Sequence, residues 1–365
     1  MKICHIISNT NTGGAELSML AHLKLFSNPK KYQTSVISLT TIGVIGIKIQ
    51  RECQIPVYEV GISRDIRSIL KLSRFVKLIG GIKPDVIIAW MYHANILSAL
   101  LFPQICVIWN IRHSLEYFES ENYLTRVLIR GGRFLSTRPH RIIYNSLNSK
   151  EQHEISFGYC TERSQTINNG VDCVRYQPKN NDNRKKISIG IAGRYHPIKN
   201  HELFFQVLKK IIENHHHVIA VSAGRGMNEN NFELFQRLQY WGLTEHVVLL
   251  DELEDMKYFY NNIDLLISAS ESEGFSNVIV EAMACGVPVI ATDVGESKQI
   301  ISREEAVIPP GDPSALFQAV NHYLGMDELE KQKLREQSRN RAVKFFSNQS
   351  LKKEFMKVYD TLDDQ

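Results

Sequence analysis

Two glutamates, Glu273 and Glu281, head the stretch Ile267–Asp293, ISASESEGFSNVIVEAMACGVPVIATD. Ile263–Ser268 is a short apolar run suited to a buried strand, and the polar turn Glu271-Ser272-Glu273-Gly274-Phe275 follows it. Ser276 or Gly274 can cap a helix over Asn277–Cys285, which Gly286 and Pro288 then close. Val287–Ala291 reads as a second buried strand. A helix start presents unpaired amides and partial positive charge, so it suits a phosphate or diphosphate. Gly274 lets a ligand approach the backbone closely. Two carboxylates beside an anion would repel it if both touched it. They make sense if each accepts bonds from sugar or ribose hydroxyls instead, Glu281 from one turn inside the helix and Glu273 from the loop. The plainer reading of the pair alone is a surface turn with solvated acids.

Other groups could share this chemistry. After an apolar strand at Ile187–Ala192 comes Gly193-Arg194-Tyr195-His196-Pro197-Ile198-Lys199-Asn200, which sets two cations near a second helix start at His201. An anion is expected there, with surface solvation as the alternative. Asn9-Thr10-Asn11-Thr12-Gly13-Gly14-Ala15-Glu16 follows the first strand, and its glycines suit either an anion or an ordinary helix entry. His113, in Trp109-Asn110-Ile111-Arg112-His113-Ser114, lies just past a strand and could meet a sugar hydroxyl or the reacting centre. His93 is a weaker candidate by the same logic. Three consecutive histidines, His215–His217, point in different directions and make a poor metal site.

The pattern of Glu273, Glu281 and the following Ala-Met-Ala-Cys-Gly-Val-Pro-Val-Ile-Ala-Thr resembles the signature of retaining glycosyltransferases of family 4. The resemblance is strong from Lys186 to Pro310 and weaker before Asn168. It implies a GT-B fold: α/β, with two Rossmann-like doubly wound parallel-sheet domains facing across a cleft. It also implies transfer of a hexose or N-acetylhexosamine from a nucleotide-sugar, UDP-linked in our expectation. The acceptor would be a glycan or lipid-linked oligosaccharide in cell-surface polysaccharide synthesis. Carried over residue by residue, the resemblance gives Glu273, His113, Arg194 and Lys199 catalytic roles. It places Gly13, Gly14, Arg194, Lys199, Leu253, Glu273, Gly274, Phe275, Ser276, Asn277 and Glu281 at the nucleotide-sugar. No DxD sequence occurs, so Arg194 and Lys199 would neutralise the leaving phosphate, with no cofactor and no metal required. Asp251 stands where many relatives have glycine, which leaves the base open, and Gly295-Glu296 lacks a common second glycine. The rival readings are a nucleotide-sugar epimerase on the same architecture, or a non-catalytic sugar-binding or assembly protein. A dinucleotide oxidoreductase fits less well, because no GxGxxG follows the first strand.

The elements that must position these groups are legible as alternating strands and helices. Candidate strands in the first half are Lys2–Ser8, Gln33–Leu39, Ile55–Glu59, Asp85–Trp90, Cys106–Ile111 and Arg141–Asn145. Helical patterns lie at Ala15–Phe26, Ile66–Ile79 and Tyr123–Leu135. Later strands fall at Val218–Ala223, Val247–Leu250 and Ala306–Pro309, and final helices at Glu328–Phe346 and Leu351–Leu362. Domains are expected at 1–167 and 187–348, with 168–186 as a hinge and a C-terminal helix, about 349–365, packing back on the first.

At 365 residues, 43% hydrophobic and 22% charged, the chain has the composition of a water-soluble protein with two cores. Val86–Ile111 carries no Asp, Glu, Lys or Arg, but His93, Asn95, Pro103, Gln104 and Asn110 favour strand, helix and strand over a bilayer span. The six cysteines show no CxxC spacing and read as reduced thiols of a cytoplasmic protein without a signal peptide. Through Arg163 there are 20 basic against 11 acidic residues, with 23 against 28 beyond. Arg64, Arg67, Lys71, Arg74 and Lys77, with Phe75 and Leu78 among them, form one basic stripe, and Arg126, Arg130 and Arg133 form another. Such faces suit docking on an anionic membrane surface, or plain solvation, and no nucleic-acid partner is expected.

Overall fold

The computed structural model describes residues 1–26, 28–62, 68–116, 118–179 and 186–363. The chain divides into two compact units. One comprises Met1–Asn168 together with the residues from Lys352 onward, and the other comprises Asn169–Leu351.

The first unit holds seven strands: β1 Lys2–Ile7, β2 Gln33–Ser38, β3 Val57–Glu59, β4 Val86–Trp90, β5 Cys106–Ile111, β6 Arg141–Tyr144 and β7 Ser164–Thr166. They pair in parallel in the order β3-β2-β1-β4-β5-β6-β7. Strands covered on both faces must be apolar throughout, and every residue of Val86–Trp90 is buried. The uncharged run resolves into β4, a helix Met91–Leu101 and β5. No helix among the described residues is long and apolar enough to cross a membrane.

Residues from Lys352 pack against the helix Gly14–Leu25 and the turn after it. Tyr359 lies against the ring of Phe26 at 5.1 Å, and its hydroxyl meets His22 Nε2 at 2.8 Å. Arg64 and Arg67 lie outside the described residues. Of the rest of that stripe, Lys71, Arg74 and Lys77 sit on the helix Ser68–Ile82. Phe75 turns inward, fully buried against Phe102, and Leu78 packs on the same core, so neither is offered to a membrane.

The second unit repeats the plan with β8 Ile187–Ala192, β9 Val218–Ala223, β10 Val247–Leu249, β11 Leu265–Ser268, β12 Val289–Thr292 and β13 Val307–Ile308. The parallel order is β10-β9-β8-β11-β12-β13. Strand order reverses between β8 and β11, and ligands of such sheets gather beyond the carboxyl ends at that switch point. Register places Ile191 opposite Ile267, so the loops after Ala192 and Ser268 leave the sheet side by side. Those loops carry Lys199 and Glu273.

Part of the expected hinge is bound into this unit. Val171 N–H donates to Phe346 O at 2.8 Å, Asn348 N–H donates to Val171 O at 2.9 Å, and Asn169 Nδ2 donates to Asn277 Oδ1 at 2.9 Å.

Candidate active site

The helix Asn277–Ala284 starts at Ser276, which is its N-cap but makes no side-chain cap bond to the first-turn amides. The helix closes with Gly286 at φ 74°, a left-handed turn in which Gly286 N–H donates to Met283 O and Val287 N–H to Ala282 O, both at 2.9 Å. The fixed exit returns the chain into β12, and the opposite end of the helix is thereby aimed at the switch point. Phe275 is buried with its ring 5.9 Å from Phe346, so it anchors the turn and offers a ligand only its backbone.

Glu273 and Lys199 meet directly. Lys199 Nζ donates to Glu273 Oε1, and Ser270 Oγ donates to the same oxygen at 2.9 Å. Their side chains are 21% and 15% exposed, a setting in which an ion pair keeps more of its Coulomb attraction than at an open surface. Glu271, next in the loop, accepts from Asn200 Nδ2 at 3.2 Å, and its amide donates to Ile198 O at 2.8 Å. The loops after β8 and β11 are thus tied by both main chain and side chain. Arg194 is exposed, and its carbonyl accepts from His201 Nε2 at 3.1 Å. Two cations seemed to require an outside anion, but for Lys199 the structure supplies an internal one, Glu273.

Glu281 occupies a different setting. Its Oε2 accepts from the Tyr260 hydroxyl at 2.8 Å. Burial pushes the carboxyl up to about 7, against opposing pulls from the Tyr260 hydrogen bond and the Arg175 charge. Arg175 is itself held by Asp255 at 3.1 Å. A carboxylate costly to ionise, with a single hydroxyl donor, is poised to take further donors, which a ribose diol would provide.

Sequence reasoning noted Gly295 but not its packing role. A Cβ there would lie 2.2 Å from Glu273 O and 2.8 Å from Gly274 O, so this glycine lets the glutamate loop settle. Tyr260 and Ser270 were missed, because neither belongs to a motif. Leu253 packs half-buried on the core beneath the helix. Asp251 adopts φ 51°, and its pKa is lowered chiefly by a bond from Asn228 and further by Gly226 N–H, which donates to Oδ1 at 3.1 Å. The departure from glycine at 251 is therefore used to fasten the loop after β9.

In the first unit Thr10 is fully buried, and its hydroxyl accepts from Gly43 N–H at 2.8 Å, which fixes the loop after β1. Gly13 caps the helix Gly14–Leu25, and Glu16 folds its carboxylate over it, since a Cβ on Gly13 would meet Glu16 Oε2 at 2.4 Å. Burial raises the Glu16 carboxyl pKa. His113 lies beyond β5 with Nδ1 3.3 Å from the Tyr92 hydroxyl and Nε2 3.2 Å from Glu121. Burial lowers its pKa, while Glu121 opposes that shift. His93 is half-buried and is likewise lowered by burial. Among the described residues no group of three His, Cys, Asp or Glu side chains could hold a metal ion, and His215 is spent on Asn321 at 2.8 Å.

Each unit is a parallel α/β sheet, and the second has a helix start without a side-chain cap, preceded by a loop whose Glu273 is held by Lys199. The structure of Anabaena Alr3699/HepE in complex with UDP and glucose superposes with a TM-score of 0.84 at 20% identity, covering 99% of this chain and 100% of that one. WaaG, a glycosyltransferase involved in lipopolysaccharide biosynthesis, gives 0.71 at 12% identity, covering 98% and 99%. The fold is GT-B. Sequence models described as Glycosyl transferases group 1 and Glycosyltransferase Family 4 match residues 186–326 and 12–175, so the chain carries both of these glycosyltransferase domains.

Similar curated proteins include the capsular polysaccharide biosynthesis glycosyltransferase CapM of Staphylococcus aureus, 29% identical over 61% of this chain and 59% of the relative. Another is the lipopolysaccharide core biosynthesis mannosyltransferase LpsB of Rhizobium meliloti (strain 1021), 26% identical over 54% and 62%. The matched region therefore spans about three fifths of each of these relatives.

Proposed function

We propose that this protein is a retaining glycosyltransferase that moves a hexose or N-acetylhexosamine from a nucleotide-sugar, UDP-linked, to a glycan or lipid-linked acceptor in surface-polysaccharide synthesis. The observation that carries the reading is the arrangement at the β8/β11 switch point. There Lys199, from the loop after β8, pairs with Glu273 in the loop that leads into a helix start without a side-chain cap, with Glu281 one turn inside. The names of the relatives, which concern capsule and lipopolysaccharide, and the UDP-bound structure of similar fold support the substrate class.

In this reading the donor diphosphate lies on the amides of Gly274–Asn277. Arg194 and Lys199 stabilise the charge that builds on phosphate as the bond from sugar C1 breaks. A preorganised donor of this kind contributes about 3 kcal/mol, or a hundredfold in rate. Glu281 accepts from the ribose and Glu273 from the donor sugar, while Ser270 and Lys199 hold the Glu273 carboxylate in place. The acceptor oxygen bonds to C1 on the face the phosphate leaves, and its proton passes to the leaving phosphate oxygen, which retains configuration. The fixed cations take the role a divalent metal would otherwise fill, so transfer is proposed to be metal-independent.

Membrane docking through the first unit is part of the proposal. The helix Tyr123–Leu135 exposes Tyr123, Leu124, Val127 and Phe134 beside Arg126, Arg130 and Arg133, a mixture suited to an anionic lipid surface. The test of function is a panel of nucleotide-sugars scored for slow hydrolysis and thermal stabilisation. One donor should be hydrolysed without acceptor, with its configuration at C1 kept. Conversion of a donor to its epimer, or binding without turnover of any donor, would replace this reading by one of its rivals.

A further inference from the structure

In the first unit, five groups form a chain of four polar contacts. Ser149 O meets His153 Nδ1 at 2.7 Å, and His153 Nε2 meets the Tyr92 hydroxyl at 2.9 Å. That hydroxyl meets His113 Nδ1 at 3.3 Å, and His113 Nε2 meets Glu121 Oε1 at 3.2 Å. Tyr92 and His153 are buried, whereas His113 and Glu121 keep 32% and 28% of their side-chain surface. The interior end is therefore sealed and the outer end is open.

Hydrogen counting fixes the direction of the inner half of the chain. A carbonyl only accepts, so His153 carries its hydrogen on Nδ1. Burial drives the His153 pKa down to about 3, so this ring is neutral and its Nε2 is an acceptor. Tyr92 must then donate to His153, which leaves the Tyr92 oxygen as an acceptor for His113. With its hydrogen on Nε2, His113 serves Glu121 and leaves the Tyr92 contact without one; with it on Nδ1, His113 completes the Tyr92 contact and its Nε2 presents a lone pair. Across that lone pair stands a carboxylate, which is also an acceptor. Four contacts need four hydrogens, and neutral His153, Tyr92, neutral His113 and ionised Glu121 supply three.

We propose that Tyr92 and His153 are positioning residues that commit His113 to the Nδ1–H form. Its Nε2 then accepts from a substrate hydroxyl that displaces Glu121. A sugar hydroxyl brings the fourth hydrogen with it and completes the chain without proton uptake. A phosphate oxygen brings none, so the ligand at this nitrogen is an alcohol. Glu121 completes the chain only when the His113–Glu121 pair takes up a proton, which makes Glu121 a competitor that gains on the substrate as pH falls. This rests on the proposed transfer reaction and on the catalytic role that the family resemblance gives His113.

The remaining titratable neighbours support that assignment. Tyr144 and Tyr159 pack their rings 5.2 and 5.1 Å from His153 and are kept neutral by burial. Arg112 directs its guanidinium to Asn110 Oδ1 at 2.6 Å and Ile167 O at 3.0 Å.

The experiment is nitrogen NMR of the full chain labelled with ¹⁵N-histidine, which distinguishes protonated from bare ring nitrogens. At pH 8 His113 should show Nδ1 protonated and Nε2 bare. Tyr92→Phe removes the acceptor and should turn the ring over to Nε2–H facing Glu121, while kcat/KM falls about tenfold, the value of one lost hydrogen bond. Glu121→Ala should keep the Nδ1–H form and move the acid limb of kcat/KM to lower pH, because the carboxylate that favours the imidazolium is gone.

Nε2–H in the unaltered protein at pH 8, or an acid limb unmoved by Glu121→Ala, overturns the relay, even if Tyr92→Phe fails to fold. Failure of the unaltered protein to turn over any nucleotide-sugar would overturn the function instead. The NMR result would stand apart from that outcome.

Discussion

Replacing Glu281 by glutamine should make the protein more stable above neutral pH while it loses nucleotide. In the folded chain the carboxyl titrates at about 7, against an ordinary 4.5. Between those values the unfolded chain has released this proton and the folded chain still holds it. The unfolded state therefore binds fewer protons, and stability falls as pH rises through that window. Below 4.5 the group costs nothing, and above 7 the cost is complete. At 1.36 kcal/mol per pH unit the ceiling is about 3 kcal/mol, and residual solvent access brings the expected figure to about 1–3 kcal/mol. Glutamine keeps an oxygen for the Tyr260 hydroxyl and carries no charge.

Urea unfolding at pH 5 and pH 8.5 on both proteins gives the comparison. The gap between Glu281→Gln and the unaltered chain should open in favour of the variant as pH rises. UDP affinity should drop in the same variant, because an amide accepts less strongly from two ribose hydroxyls. Parallel stability profiles would show that burial does not penalise the Glu281 charge, and the poised carboxylate would have to be abandoned.

Lys199→Ala and Glu273→Ala should each reduce donor turnover about a hundredfold or more with circular dichroism unchanged. The double variant should be little worse than either single one, because each mutation already breaks their shared pair. Full turnover in either single variant would contradict the assignment. Gly295→Ala should lower turnover at least as much as it lowers stability, since its Cβ would press on Glu273 O and Gly274 O. An unaltered rate would show that the loop tolerates displacement. Flotation with vesicles rich in anionic lipid should carry the protein at low salt and lose it when Leu124 and Phe134, 54% and 72% exposed, are both changed to Asp. Flotation unaffected by that change would move docking elsewhere.

Much of the fold was legible because parallel strands covered on both faces must be apolar along their whole length. Cys106–Ile111, Ile187–Ala192 and Val218–Ala223 appear with the bounds their sequences suggest. Glu328–Phe346 does as well, fixed at its start by an Asp327–Glu330 capping box. Elements that break this rule were missed. Val44–Cys53 is a helix that begins after Gly43 and contains Gly46, and Ser164–Thr166 is a polar edge strand with no apolar run to mark it.

The candidate site divides in the same way. Glu273 and Glu281 stand out because they frame a strand, turn and helix contiguous in sequence. Their pairings do not, because Lys199, itself a candidate in the sequence, lies 74 residues from Glu273 and Tyr260 lies 21 from Glu281, and only the sheet order unites them. Phe275 is expected at the ligand, and nothing in the sequence marks that its ring packs on Phe346 in the core. The Tyr92–His153 pair left no trace, since buried polar residues on separate elements have no shared period.

The most direct test of the account is a crystal structure of the protein grown with UDP. The diphosphate is expected on the amides of Gly274–Asn277, within reach of Lys199 Nζ, with the ribose hydroxyls on Glu281. A well-ordered nucleotide bound away from the helix Asn277–Ala284, with the Lys199–Glu273 pair facing only solvent, would contradict it.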